Sequence, residues 1–239
     1  MGYRSSIAAA LTTAGGSLTT GHLNTVTGDA GIAFLQTLSA QPFLSFGDTT
    51  GNSWTPITGL NPFATTISGV SFRIYVYQAQ NITGTTGETY TFAVSNGPIY
   101  LAAQIQMFSG RLTSGTLCGT PQTYTNTSFV TSHAGPTATG IAGDSFACYM
   151  LDGSTSSDTF TAGGGYTLAS SLLGSANTYF VQASQYQDNV LGTIAAPWTT
   201  ANFVSSAGIV VPVHSTPITG ATFPFRRRSR TFLPVSFQR

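Results

Sequence analysis

Short runs of alternating apolar and polar side chains, separated by turn residues, dominate residues 31–213 of the 239-residue chain. The clearest run is Ser71–Ala79, in which Phe72, Ile74 and Val76 share one side of an extended strand. Short strands bounded by clusters of Gly, Asn, Pro and Ser are typical of sandwiches and barrels. The pattern therefore predicts one all-β, antiparallel domain over residues 31–213.

Two further alternating runs, at 88–95 and 99–108, follow the strand at 71–79. The connection Asn81–Gly87 has the composition of a turn, and Asn96-Gly97-Pro98 favours a tight reversal. We therefore predict that these three strands pair in chain order as a meander. A second sheet must then cover their common apolar face.

The remaining segments complete the predicted organisation. Residues 1–30 lack a sustained period and are predicted as an extended N-terminal arm with one or two short pairing segments. Residues 214–239 are rich in Pro, Phe and Arg and are predicted as a C-terminal arm. No long amphipathic helix is found, although 169–176 and 196–203 could each form one helical turn. Further strands are predicted at 31–37, 42–47, 52–57, 145–151, 157–161, 165–169, 178–186 and 207–213.

Charge is scarce and unevenly placed. The chain has eight Arg, seven Asp or Glu and no Lys, so that 6% of its residues are charged, against about 25% in an ordinary soluble protein. Residues 1–225 contain three Arg and seven acids, a net charge of −4, whereas 226–239 contain five Arg and no acid. The lack of Lys excludes a phosphate-loop, Schiff-base or protein-kinase lysine. No apolar run is long enough for a membrane-spanning helix.

One serine has the local sequence of a hydrolase nucleophile. Gly143-Asp144-Ser145-Phe146 resembles the Gly-Asp-Ser block of a lipase-like family. A nucleophilic serine needs a base within reach, and nothing in the sequence brings His133 or His214 to Ser145. We therefore interpret Ser145 as a turn residue that opens a strand.

The candidate metal and redox residues are equally isolated. Asp152–Asp158 has oxygen groups at alternate positions, as a hard-cation loop would, but lacks a downstream bidentate Glu. Glu88 is the only Glu, and Cys118 and Cys148 are too few for a structural zinc site. We interpret the loop as a solvated hairpin and the cysteines as small, reduced hydrophobic residues. The sequence therefore predicts no catalytic residue, no metal site and no cofactor.

Aromatic residues offer one binding hypothesis. Trp54, Trp198, Tyr75 and Tyr77 could stack on sugar rings if they lie on the surface. Such residues more often belong to a core or an interface, which is the interpretation we prefer.

The cluster Arg226–Arg230 suggests a second binding hypothesis. Clustered Arg could bind nucleic-acid phosphates or pair with carboxylates of a protein partner, or it could be a solvated basic tail. The interleaved Phe and Pro residues suit a protein groove better than a phosphate backbone, so we expect a protein partner and no nucleic acid or membrane.

The order of strands and turns from about residue 45 to 213 resembles a β-sandwich module of phage virion proteins. The resemblance rests on Asp48-Thr-Thr-Gly-Asn-Ser-Trp54, on Val70–Tyr77 leading to Asn81-Ile-Thr-Gly84, on the strand that ends in Phe108-Ser-Gly-Arg111, and on Gly165-Tyr-Thr-Leu168. It implies a jelly-roll-like or immunoglobulin-like sandwich with a structural role in a virion, and no catalytic residues.

These expectations combine into one hypothesis and two alternatives. The chain is expected to be a non-enzymatic capsid decoration or cement protein, oligomeric, with arms that bind the major capsid protein or other virion proteins. A tail tip, fibre or baseplate protein is the first alternative, and a carbohydrate-binding module is the second. The predicted partner-binding residues are Phe223, Phe225, Arg226, Arg227, Arg228, Arg230, Phe232 and Phe237.

Overall fold

The fold is that of a computed structural model, which describes residues 2–11, 15–38, 43–95, 100–112, 114–153, 158–172 and 181–215. Strands are the regular elements of these residues, and every pairing between them is antiparallel. The strands are β1 (Tyr3–Ala10), β2 (Ser17–Thr19), β3 (Ala30–Leu38), β4 (Phe43–Asp48), β5 (Thr55–Pro56), β6 (Phe63–Ile67), β7 (Val70–Ala79), β8 (Tyr90–Val94), β9 (Leu101–Phe108), β10 (Gln122–His133), β11 (Thr137–Asp152), β12 (Phe160–Ala162), β13 (Thr167–Leu172), β14 (Val181–Ala195) and β15 (Trp198–Val213).

The first sheet has the strand order β1-β9-β3-β7-β5, and β6 also pairs with β7. In its central strand β3, Phe34 lies opposite Val76 of β7 and Gln104 of β9. All residues of β3 except Leu38 are buried. The sheet is covered on both faces, which explains why β3 is a continuous apolar run rather than an alternating one.

Two other sheets cover the first. The second sheet has the order β10-β15-β11-β14-β13 with β12 beside β15, and the third has the order β2-β8-β4. One core contains Phe34 of the first sheet and Tyr149 of the second, whose rings stack with centroids 5.4 Å apart. The other core contains Leu35 of the first sheet and Phe92 of the third. The prediction of an all-β antiparallel sandwich is confirmed.

The outer face of the second sheet is covered by its own long strands. The pairing of β11 with β14 shifts register between Gly140 and Asp144. A Cβ at Gly140 would lie 2.9 Å from Val190 and 3.0 Å from the ring of Phe146, so that only glycine fits at this bend. Ala138 of β11 and Val190 of β14 thereby join a third core with Phe146.

The predicted meander is wrong. β8 lies in the third sheet between β2 and β4, whereas β7 and β9 both pair with β3 in the first sheet. Asn81–Gly87 does not close a hairpin, because its backbone bonds to residues 23–29: Gly28 N–H donates to the Ile82 carbonyl at 3.0 Å, and Thr25 N–H donates to the Thr85 carbonyl at 3.0 Å. The connection therefore carries the chain from one layer to the next.

Several segment predictions also need correction. Residues 198–203 belong to β15 and do not form a helical turn, and β13 extends through Leu172. β6 and β10 are strands that no prediction covered. Within residues 1–30, predicted as an arm with one or two short pairing segments, β1 pairs with β9 and β2 pairs with β8.

Candidate interaction surface

The eight residues predicted to bind a partner, at positions 223–237, lie outside the described residues. The structure shows instead where their segment leaves the sandwich. Beyond β15, the His214 carbonyl accepts a hydrogen bond from Leu112 N–H at 3.2 Å, and Ser215 forms a β-bridge with Arg111. The segment is therefore fixed to the body through residue 215.

A buried arginine lies beneath this point. The Arg111 guanidinium donates to the carbonyls of Gly143 at 2.9 Å and Val213 at 3.3 Å, and to the Ser145 hydroxyl at 2.6 Å. It lies 3.7 Å from the Asp188 carboxylate, and its side chain is fully buried. Desolvation lowers the pKa of Arg111, while the neighbouring carboxylates of Asp188 and Asp144 oppose that change.

The first residues of the chain meet the same group of side chains. Tyr3 N–H donates to both oxygens of the Asp188 carboxylate, at 3.0 and 3.1 Å, and the Tyr3 ring stacks on Tyr186 at 3.8 Å. The carboxylate also lies 2.2 Å from the position that a Cβ on Gly2 would occupy, so glycine is required there. Residues 2 and 215 therefore both contact one cluster, the terminal cluster, composed of Arg111, Asp144, Ser145, Asp188 and His214.

Ser145 does not have the partners of a nucleophile. Its hydroxyl is fully buried and donates to Asp188, while it accepts from Arg111. His214 Nδ1 lies 3.0 Å from the Asp144 carboxylate rather than beside Ser145. The geometry thus gives Ser145 a role in the buried polar contacts of the terminal cluster.

His133, the other histidine considered for Ser145, is buried elsewhere. Its Nδ1 lies 2.7 Å from the Ser206 hydroxyl, its Nε2 lies 3.2 Å from the Thr200 hydroxyl, and its ring stacks on Trp198 at 5.2 Å. Desolvation lowers the pKa of His133, against a smaller opposite effect of Asp158. The neutral imidazole therefore belongs to the packing between β10 and β15.

Most carboxylates of the body are buried. Of the seven acids, five have a relative exposure of 1% or less. Asp29 pairs with Arg4 at 2.9 Å, and Asp158 accepts backbone N–H groups of Thr159 and Ala201 at 2.7 and 2.9 Å. The net charge of −4 predicted for the body is therefore almost absent from its described surface. The buried acids are Asp29, Glu88, Asp144, Asp152 and Asp158.

The carboxylates of Asp48 and Glu88, which the sequence analysis did not bring together, share the Asn52 side chain as a hydrogen-bond donor. Asn52 Nδ2 donates to Asp48 at 3.0 Å and to Glu88 at 3.1 Å, and the Thr50 hydroxyl lies within hydrogen-bond distance of both carboxylates and donates to one of them at a time. Tyr90 O–H donates to the other oxygen of Glu88 at 2.8 Å. Within the described residues, no group of three or more His, Cys, Asp or Glu is arranged to hold a metal ion.

The cation-loop hypothesis falls partly outside the described residues, since 154–157 are not described. Its two ends, Asp152 and Asp158, are buried rather than solvated.

Cys118 and Cys148 are free, buried thiols, as predicted, and burial raises the pKa of both.

The aromatic residues considered for sugar binding are mostly covered. Trp198 is 1% exposed and Tyr75 is 6% exposed. Trp54 is half-buried between Phe46 and Tyr90, and its indole N–H donates to Asp48 at 2.7 Å. Tyr77 is also half-buried, and its ring stacks on Phe43 with centroids 5.2 Å apart. Trp198 and Tyr75 therefore belong to the packing, as the preferred interpretation held, while Trp54 and Tyr77 are packed on one side only.

Large apolar side chains are exposed on a different surface, which the sequence did not indicate. Phe129 is 64% exposed, Phe203 and Leu191 are each 72% exposed, and Ile141 is 59% exposed. They lie on residues 122–142 and 189–203, which contain no Asp, Glu, Lys or Arg. We call these two segments the uncharged ribbons. Their apolar residues went unnoticed because Thr, Ser and Ala surround them.

Comparisons with known proteins identify no relative. A scan against protein-family models, a search of curated proteins and a search of solved structures each found no match. Among the described residues we find no helix of the length and hydropathy needed to span a bilayer.

Proposed function

We propose that the chain is a non-enzymatic structural subunit of a phage virion, a capsid decoration or cement protein present in many copies. It binds the major capsid protein through its terminal segments, with the Arg and Phe residues of 223–237 as the main contacts. The observation that carries this proposal is the distribution of charge. The described body has almost no exposed acid, whereas residues 226–239 hold five Arg.

This distribution favours a partner outside the chain. Arg pairs strongly with carboxylates through two parallel hydrogen bonds, but five of the body's seven carboxylates are buried. The other two, Asp48 and Asp188, are partly exposed and already accept hydrogen bonds within the body. Little acidic surface is thus left for Arg226–Arg230, which favours acidic residues of a partner, and Arg and aromatic side chains together are typical of the residues that dominate protein interfaces.

The terminal cluster supports a defined orientation on the particle. Residues 2 and 215 contact the same buried group, so both terminal segments start from one end of the sandwich. That end faces the capsid in this proposal, and the uncharged ribbons are left for other contacts. A low surface charge also suits a protein packed among many neighbours, since net charge is what usually keeps soluble proteins apart.

A tail tip, fibre or baseplate protein would use the same features in fewer copies, and copy number per particle separates the two roles. The carbohydrate-binding alternative is weakened, because Trp198 is 1% exposed and Trp54 is half-buried.

Binding to capsids tests the proposal. A chain that ends at residue 222 keeps every described residue, and we expect it to unfold at the temperature of the full chain but to lose co-sedimentation with capsids that lack the protein. In a matched pair, replacement of Arg226, Arg227, Arg228 and Arg230 by Glu should abolish binding, while replacement by Lys should retain part of it. Undiminished binding of the shortened chain would contradict the proposal.

A further inference from the structure

β10 forms one edge of the second sheet. It pairs with β15 on one side, and no described strand forms a ladder with its other side, although the Thr125 hydroxyl lies 3.1 Å from the Thr65 hydroxyl of β6. Its length of 12 residues exceeds that of the other strands at the ends of the sheet orders, the longest of which is β1 with 8 residues. An unpaired edge presents a row of backbone N–H and C=O groups that can pair with another strand.

β10 lacks most of the usual protections of an edge strand. Besides β-bulges, natural edges carry Lys, other charges or Pro, which prevent pairing with a second chain. The sequence Gln122-Thr-Tyr-Thr-Asn-Thr-Ser-Phe-Val-Thr-Ser-His133 contains none of these, and four of its residues are Thr, which favours strands. Its irregularity is confined to register shifts between Asn126 and Ser132, so residues 122–126 keep a regular ladder with β15.

The surroundings of this edge are also suited to a protein contact. Phe129 and Phe203 flank the Val130–Val204 pair, and both side chains are more than half exposed. The uncharged ribbons on which they lie hold no acidic or basic side chain that would have to be desolvated. Depletion of charge with exposed aromatic residues is the composition of the centre of an interface.

We propose that a second copy of this chain occupies the edge, with β10 against β10 in an antiparallel, two-fold arrangement that joins two six-stranded sheets into one. A two-fold axis makes every contact reciprocal, so the surface must be complementary to itself. β10 meets this condition, since Thr, Ser and Asn pair with one another and no like charges oppose each other. The Arg-rich segment 223–237 fits this edge poorly, because it would place unpaired cations against an uncharged surface.

This dimer goes beyond the proposed role in a virion and is tested on the purified protein alone. We expect light scattering to give twice the chain mass of 24.8 kDa. Thr127→Lys, which adds a cation near the middle of this edge on each chain, and Phe129→Asp should each convert the dimer to a monomer without lowering the unfolding temperature. Leu44→Asp is the matched control, because Leu44 is 60% exposed on β4 of the third sheet and should leave the dimer intact.

Hydrogen exchange gives a second measurement that does not depend on mass. In the dimer, amides on the outer edge of β10 should be protected, and Thr127→Lys should remove that protection while leaving β11 unchanged. A monomeric full chain, or a dimer that both variants leave intact, would overturn the proposal. So would dimerisation only of a chain shortened to residue 222, since the C-terminal segment would then be the native occupant of the edge.

Discussion

Replacement of Arg111 by Met tests the structural role of the terminal cluster. Met is similar in length and apolar, so it removes the charge and the hydrogen bonds while leaving little cavity. The variant loses donors to the Gly143 and Val213 carbonyls at 2.9 and 3.3 Å and to Ser145 at 2.6 Å. It also leaves the Asp188 carboxylate, 3.7 Å away, without its cation. Because Asp188 is 28% exposed, the loss comes mainly from the hydrogen bonds of the charged donor, which contribute about 1.5–3 kcal/mol; we expect a loss of this size in the free energy of unfolding.

Urea unfolding followed by Trp fluorescence measures this loss. Arg73→Met is the matched control, because Arg73 is half-buried on β7 and lies outside the terminal cluster; we expect a change of about 0.5 kcal/mol or less. Addition of Asp188→Asn to Arg111→Met removes the stranded charge, and the two substitutions should couple by about 1–3 kcal/mol. A loss below about 1 kcal/mol for Arg111→Met, or additive effects in the double variant, would refute the view that this cluster holds the two ends together.

Two further predictions concern stability. Burial lowers the pKa of His133, so the unfolded chain binds a proton near pH 6.5 that the folded chain does not bind until a lower pH. The free energy of unfolding is therefore highest above pH 6.5. It decreases as the pH is lowered further, by at most ~1.4 kcal/mol per pH unit. His133→Gln should flatten this slope in urea titrations between pH 7.5 and 5, and a slope equal to that of the unsubstituted chain would contradict the assignment. Gly135→Ala should destabilise the fold by about 1–3 kcal/mol, because the φ of Gly135 is +69° and a Cβ would lie 1.9 Å from the Ala196 carbonyl oxygen. In the control Gly47→Ala the new Cβ meets nothing within 4 Å, and the cost should be less than about 1 kcal/mol. Thermal unfolding of the two variants measures the difference.

The sequence predicts most strands but not their partners. Alternation at 71–79 and the apolar runs at 31–37 and 207–213 correspond to β7, β3 and the end of β15, because burial of one or both faces leaves a local pattern. The pairing of β7 with β8 was wrong because alternation does not tell which layer a strand joins. β10 was missed because an edge strand with mostly exposed side chains, such as Thr123, Thr125 and Thr127, has no apolar face to detect.

The candidate interaction surface, like the fold, could be predicted only in part from the sequence. The Arg and Phe cluster at 223–237 is evident from composition, but the burial of Asp144 and Glu88 depends on side chains far along the chain, such as His214 and Thr50. Burial of acids is a tertiary property, and it changes the body from a weakly acidic surface to a nearly uncharged one. That change supports the proposal that the Arg residues bind a separate partner.

The copy number of this chain in purified virions tests the central claim most directly. Quantitative mass spectrometry against the major capsid protein should find the chain in a fixed, high ratio to that protein, as a subunit bound all over the capsid requires. A few copies per particle would contradict the decoration role and favour the tail, and absence from the particle would contradict a virion role altogether.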